Sequence, residues 1–144
     1  PKNRKKTDGF PKDRIYTNLL SSPDGDIRVL LQEAETFCEK WSASPKQTYF
    51  VTMAIEEICL AITGFAAGHG RCLLDLVLVA EEDGGFTLHI RDNARRFNPF
   101  ELTTSKVGGD DFHEDAMGIM VLKQKAKEFF YRQYGGFNSL VIKI

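Results

Sequence analysis

The stretch FTLHIRDNARRFNPF (residues 86–100) places an acid at the end of an apolar strand. Its apolar residues Phe86, Leu88 and Ile90 stand at alternate positions, and alternate residues of a strand point to the same face of the sheet. Asp92 continues that series, so its carboxylate is predicted to point inward. No period holds over the next 22 residues. Asp92 either ends the strand through a local Asx-type turn or accepts a hydrogen bond from an amino group in a partly dry pocket.

The strand at residues 86–92 belongs to a regular succession of predicted elements. Asp26 and Ser44-Pro45 are start signals for two helices. The order β-α-α-β-β-lid-α-β-β predicts an α/β (α+β) fold: a two-layer sandwich whose mixed, mostly antiparallel sheet is covered on one face by three helices. The predicted strands are residues 14–20, 73–81, 86–92, 129–134 and 139–144, and the predicted helices are 26–41, 44–67 and 117–127.

The domain organisation is predicted to be one domain with a tail. Residues 1–13 are basic and would form a linker or tail, either a solvated one or the flank of a membrane segment. Residues 14–144 would form the domain, with a lid at residues 93–115, because so long an irregular segment inside a compact domain is typically functional. The first residue is Pro1, so we expect the chain to be a fragment of a longer protein.

Composition narrows the class of protein. The net charge of −1 argues against a general nucleic-acid binder. No apolar run approaches the roughly 20 residues that span a bilayer, so a soluble domain is expected. The three cysteines are widely spaced among apolar residues, which favours reduced core thiols over a disulfide framework or a zinc site.

A second acid, Glu57, lies in the apolar stripe of the second predicted helix, whereas its neighbour Glu56 points elsewhere. A buried carboxylate without a partner is costly. Glu57 therefore either pairs with a basic side chain, caps backbone amides, or performs a chemical task. The stripe consists of Phe50, Ala54, Glu57, Ala61 and Phe65.

Three segments in this order resemble the GHKL (histidine-kinase-like, Bergerat) ATPase superfamily, which includes gyrase, Hsp90, histidine kinases and MutL. The segments are VTMAIEEICLAITGFA (51–66), IRDNARRFNPF (90–100) and MGIMVLKQKAKEFFYRQYGGFNSLVIKI (117–144). FNP after the acidic strand end and the terminal Y…GGFNSLVIKI hairpin are similar to the anti-sigma-factor serine kinase branch. Similar domains are appended to the cytoplasmic end of bacterial membrane proteins, including MATE-type transporters. The resemblance covers about residues 26–144.

The resemblance implies ATP or ADP as the ligand, with or without Mg²⁺. Glu57 would orient or deprotonate the attacking nucleophile, which is the catalytic role, and Asp92 would bind the amino group of adenine. Gly118 would let the backbone approach the phosphates at a helix N-terminus, and Ser139 would support the adenine contact. The implied nucleotide-binding residues are Asp92, Ala94, Phe97, Asn98, Ala116, Met117, Gly118, Ile119 and Ser139.

Three alanines depart from the family pattern. Ala61 stands where the family carries an asparagine that ligates magnesium, so no metal ligand is predicted there. Ala94 and Ala116 stand where glycines are expected. Alanine cannot ligate a metal, and its methyl group resists a positive φ and close backbone approach. The catalytic machinery is therefore predicted to be damaged on the phosphate side.

Two functions fit this pattern. The first, which we favour, is a regulatory ATP- or ADP-binding domain with impaired catalysis that acts through a protein partner. The alternative is an active ATP-dependent serine protein kinase of the anti-sigma-factor type. The expected partner is a sigma-factor- or antagonist-like protein or a covalently attached membrane domain, with a homodimer compatible with the branch and no nucleic acid. The expected location is the cytoplasm, either free or as the cytoplasmic domain of a membrane protein.

Overall fold

Strands and helices follow one another in the predicted order. The computed structural model describes residues 14–22, 26–67, 70–101 and 114–144. The basic segment 1–13 and residues 102–113 of the predicted lid lie outside the described residues. The elements are β1 (Ile15–Ser22), α1 (Ile27–Lys40), α2 (Pro45–Ala66), β2 (Cys72–Ala80), β3 (Phe86–Asp92), a 3₁₀ turn (Pro99–Glu101), α3 (Glu114–Lys125), β4 (Glu128–Tyr134) and β5 (Phe137–Lys143).

The five strands form one sheet in the order β1-β2-β3-β5-β4, and each pair of neighbours is antiparallel. The described sheet is thus antiparallel throughout, whereas a mixed sheet was expected. The reason is the terminal hairpin. β3 and β4 run in the same direction and are connected through α3, but β5 lies between them and pairs with both. This arrangement leaves β3 in the centre of the sheet, with the inward end of that strand at Asp92.

The three helices cover the face of the sheet that carries its fully buried side chains. Local signals position two of them. Asp26 accepts a hydrogen bond from the backbone N–H of Arg28 at the start of α1. Ser44 and Gln47 form a reciprocal capping box at the start of α2, which satisfies otherwise unpaired backbone donors. The predicted starts of both helices are confirmed.

The central helix α2 is more apolar than expected. By length and composition it could cross a membrane, although only half of its most apolar window is buried in the protein. The expectation that no segment reaches that length is therefore wrong for α2. Its side chains at positions 51, 55, 58 and 62 are completely buried in the core. A core helix meets the same criterion, and the packing of α2 accounts for its composition.

Candidate functional site

The carboxylate of Asp92 is buried at the end of β3, with 1% of the residue exposed. Its Oδ1 accepts hydrogen bonds from the backbone N–H of Ala94 and from Nδ2 of Asn138, both at 2.9 Å. Its Oδ2 is buried and has no hydrogen-bond partner among the described residues. The Asx-type interpretation is therefore confirmed at Oδ1, and the interpretation of Asp92 as an acceptor for a ligand amino group stays a prediction.

Burial raises the pKa of Asp92, and the hydrogen bonds from Asn138 and Ala94 act in the opposite direction. A buried acceptor without a donor is costly, so the site gains free energy when a donor reaches Oδ2. An exocyclic amino group supplies such a donor. The arrangement therefore fits the adenine contact that the resemblance implies for Asp92.

Asn138 is a hydrogen-bond partner of Asp92 that the sequence pattern did not single out. It lies directly opposite Asp92 in the β3–β5 pairing, and it is 1% exposed. The predicted residue Ser139 lies opposite Arg91 instead, on the other face of the sheet. The available signal was that Asn138 stands two and four residues before the apolar residues Leu140 and Ile142, which are buried. Every second residue of a strand points to the same face, so all three share one face.

The residues after β3 are held close to Asp92. The backbone N–H of Phe97 donates to Oδ1 of Asn138 at 3.2 Å. The ring of Phe97 stacks on that of Phe65 at the end of α2, with ring centres 4.2 Å apart and an interplanar angle of 4°. Asn98 caps the 3₁₀ turn, because its Oδ1 accepts from the backbone N–H of Phe100. The FNP motif therefore anchors the start of the predicted lid to α2 and β5.

Ala94 does not strain this loop. Ser42 is the only non-glycine residue of the described chain with a positive φ. Ala94 therefore does not have the positive φ that its methyl group would resist. Its backbone N–H donates to Asp92, as the N–H of a glycine would. At this position the loss of glycine leaves the turn intact.

Glu57 and Gly118 meet at the contact between α2 and α3. An ideal Cβ on Gly118 would lie 2.2 Å from both Cδ and Oε2 of Glu57, far inside any real contact distance. The carboxyl group of Glu57 therefore lies against the backbone of α3 near the first turns of that helix. Glu57 is half-buried and Glu56 is exposed, as the period of the helix predicts. The predicted base and the predicted glycine are thus neighbours.

The other predicted positions around Gly118 differ in exposure. Ile119 is completely buried in the core, and Met117 is 57% exposed. The side chain of Ala116 lies outside the described part of the chain. Gly118 thus lies against the predicted catalytic acid, between an exposed and a buried neighbour.

Ala61 lies one helical turn beyond Glu57 and is 4% exposed. Its methyl group has no atom that could ligate magnesium. No group of three or more His, Cys, Asp or Glu residues that could hold a metal occurs in the described residues. The residues at this position therefore do not fit a magnesium ion.

The site extends along one face of α2. Glu57, Ala61 and Phe65 lie at intervals of four residues, so the helical rise of 1.5 Å per residue separates the first from the last by about 12 Å. Glu57 meets Gly118 at one end, and Phe65 stacks on Phe97 near Asp92 at the other. The residues predicted for the phosphate side and those predicted for the adenine side thus occupy opposite ends of one helix face.

An antiparallel sheet with three helices on one face, and a buried acid at the end of its central strand, defines the α+β ATPase-type sandwich. The chain belongs to the histidine kinase-like ATPase domain family, whose model matches residues 20–144. The family implies that the domain binds a nucleotide. A comparison with curated protein sequences finds no significant match.

Solved structures support the same fold. A chain of the SiaB–SiaC complex from Pseudomonas aeruginosa is similar, with a TM-score of 0.68 and 15% sequence identity. The alignment covers 99% of this chain and 97% of that chain. At this level of identity the similarity concerns the fold.

Proposed function

We propose that the domain is a regulatory module that binds ATP or ADP, has impaired catalysis and acts through a protein partner. The observation that carries the proposal is the buried Oδ2 of Asp92, which has no donor among the described residues. The amino group of adenine is the donor that the family's ligand offers. Nucleotide binding would thus satisfy a carboxylate oxygen that the described residues leave unpaired.

The phosphate side supports impaired catalysis. A bound ATP would supply a transferable phosphoryl group, and transfer requires compensation of its developing charge. Ala61 offers no oxygen to a magnesium ion, and its methyl group is buried in the core. We therefore expect the domain to bind ATP through its adenine ring and to hydrolyse or transfer its γ-phosphoryl group only weakly.

The protein partner is proposed from two sources. The similar solved structure is a complex of two proteins, SiaB and SiaC. The resemblance to the anti-sigma-factor kinase branch points to a sigma-factor- or antagonist-like protein. A covalently attached membrane domain, a homodimer and a cytoplasmic location remain predictions from the sequence.

An active serine protein kinase is the second candidate. The contact between Glu57 and Gly118 favours it, because the general base and the phosphate-side glycine of the family are both present and adjacent. Nucleotide binding at Asp92 is common to the two candidates. The two candidates differ in whether the γ-phosphoryl group of ATP is transferred to a serine.

Replacement of Asp92 by asparagine tests nucleotide binding. Asparagine turns an acceptor at Oδ2 into an amide group, so a charge-assisted hydrogen bond to the adenine amino group is lost. We expect the affinity for ATP to fall roughly 10- to 100-fold, as measured by calorimetry. Asp75→Asn is the matched control, because Asp75 lies on β2 and its carboxylate is exposed beside Arg91. Equal affinities in Asp92→Asn and the parent would contradict the proposal.

The same variant has a predicted stability profile. The folded-state pKa of Asp92 is raised, mainly by burial. The neutral carboxyl group therefore stabilises the fold at low pH, and this contribution is lost as pH rises through the raised pKa. At pH 7 the ligand-free Asp92→Asn variant should melt at or above the temperature of the parent. That difference should shrink on acidification toward pH 4, and an increase on acidification would contradict the burial argument.

A further inference from the structure

The side-chain amide of Asn138 connects three parts of the site. Its Nδ2 donates to Oδ1 of Asp92 at 2.9 Å, and to the backbone carbonyls of Arg95 at 3.0 Å and Ala94 at 3.2 Å. Its Oδ1 accepts from the backbone N–H of Phe97 and from the hydroxyl of Tyr131 on β4. A primary amide offers two N–H donors and two lone pairs. All of that capacity is used.

The identity of these partners fixes the orientation of the amide. Three acceptor oxygens surround Nδ2, and two donors face Oδ1. A flipped amide would put oxygen against three oxygens and NH₂ against two donors. Asn138 therefore has one satisfactory arrangement, in which an N–H points at Asp92.

Two consequences follow for the ligand-free site. The N–H groups of Asn138 and Ala94 both donate to Oδ1 of Asp92, so Oδ2 is the oxygen without a donor in the part of the chain that the structure describes. Contacts to residues 94, 95 and 97 hold the start of the predicted lid in the same unit. Phe97 is thereby kept in reach of Phe65, on which its ring stacks. One side chain thus sets both the aspartate and the adjoining loop.

We propose that Asn138 is a positioning residue and a determinant of base specificity: it holds the carboxylate of Asp92 so that Oδ2 meets a purine amino group. The inference rests on the proposed nucleotide site and extends it. A purine with an amino group at position 6 would be preferred over one with a carbonyl group there, because an ionised carboxylate accepts hydrogen bonds and repels a carbonyl oxygen. Without Asn138 the carboxylate can turn, and this preference is lost.

The pH dependence of nucleotide binding distinguishes a positioning role of Asn138 from a merely structural one, because it depends on the protonation of Asp92. The hydrogen bond from Asn138 favours the ionised form of Asp92. Its removal should raise the pKa of Asp92 further, and a protonated Asp92 could donate to a purine carbonyl. The titratable groups that face Asp92 are Cys59 on α2, Cys72 on β2 and Tyr131 on β4. Burial raises the pKa of all three, to about 12 for Cys59, so below pH 8 they stay neutral.

The experiment compares ATP with inosine triphosphate, whose base carries a carbonyl group in place of the amino group. Dissociation constants are measured by calorimetry from pH 5 to 8 for the parent, Asn138→Leu and Asp92→Asn. Leucine keeps the branching and the number of heavy atoms of the asparagine side chain and removes the five contacts. Ile142→Val is the matched control, because Ile142 is buried on the same face of β5 away from Asp92. We expect Ile142→Val to lower stability without altering the hydrogen bonds of the Asn138 side-chain amide.

The parent and Ile142→Val should prefer ATP, by about 10-fold or more at pH 7.5. In Asn138→Leu this ratio should fall toward one, and the pH at which ATP binding declines should move upward. If Asn138→Leu does not fold, Asn138→Ser replaces it; serine keeps one hydroxyl donor but cannot reach all the carbonyls, so an intermediate ratio is expected.

A folded Asn138 variant with the parent's ATP preference and pH profile would overturn the inference, while the proposed function would stand on the loss of preference in Asp92→Asn. A parent that binds neither nucleotide would overturn both. Equal loss of affinity for ATP and inosine triphosphate in Asn138→Leu, with the ratio unchanged, would show a structural role only and would also overturn the inference.

Discussion

Replacing Gly118 by alanine should lower the free energy of unfolding by about 1–3 kcal/mol, the usual cost of an overpacked site. A Cβ at this position would meet the carboxyl group of Glu57 at 2.2 Å. Glu57 must turn away or α3 must move from α2, and either change alters the phosphate side of the site. Urea denaturation measures the loss. Alanine is otherwise the better helix former by about 1 kcal/mol, so the clash has to outweigh a gain in propensity.

Gly64 is the matched control for this substitution. It also lies in a helix, α2, but a Cβ built there meets no atom within 4 Å. Gly64→Ala should therefore stabilise the protein by up to about 1 kcal/mol. Combining Gly118→Ala with Glu57→Ala should recover part of the loss, because the clashing group is gone. Stabilisation by both alanines alike would contradict the contact between Glu57 and Gly118.

Replacing Ala61 by asparagine should make ATP binding depend on magnesium. The amide oxygen of asparagine is a ligand that magnesium accepts, and position 61 lies on α2 between the ends of the site. We expect ATP to bind about 10-fold more tightly with magnesium than with EDTA in this variant. The parent should show no such dependence, because Ala61 supplies no ligand.

Position 61 is almost completely buried, so the larger side chain should cost about 1–3 kcal/mol of stability. Ala61→Leu is the matched control: its branched side chain has as many heavy atoms as that of asparagine but no ligand oxygen. Destabilisation of both variants, with magnesium dependence only for asparagine, is the expected result. A magnesium effect in the leucine variant as well, or none in the asparagine variant, would contradict the idea that the metal ligand is the missing part.

The contrast between Asp92 and Asn138 shows how far sequence periodicity reaches. The alternation within β3 is a local property, and it predicted correctly that Asp92 faces inward. The partner of Asp92 depends on the register between two strands 46 residues apart in the chain. A shift of one residue exchanges the faces of a strand, so the register places Asn138 opposite Asp92 and Ser139 opposite Arg91. Register is a tertiary property that a single strand does not encode.

The helix side of the site shows the same limit. The period of α2 predicted correctly that Glu57 shares a face with Ala61 and Phe65. That Glu57 lies against the backbone of Gly118 follows from how closely α3 approaches α2. The stack of Phe65 on Phe97 likewise depends on the path of the loop after β3. Neither contact could be predicted from spacing alone.

Titration of the parent protein with ATP, in magnesium and in EDTA, tests the central claim most directly. One portion of the purified protein is first denatured, and the nucleotide that it releases is measured. Calorimetry should give saturable binding of ATP at concentrations up to about 1 mM, with similar affinity in the two buffers and no appreciable release of phosphate. Absence of binding in a nucleotide-free sample would contradict the adenine site at Asp92. Rapid magnesium-dependent turnover would contradict impaired catalysis.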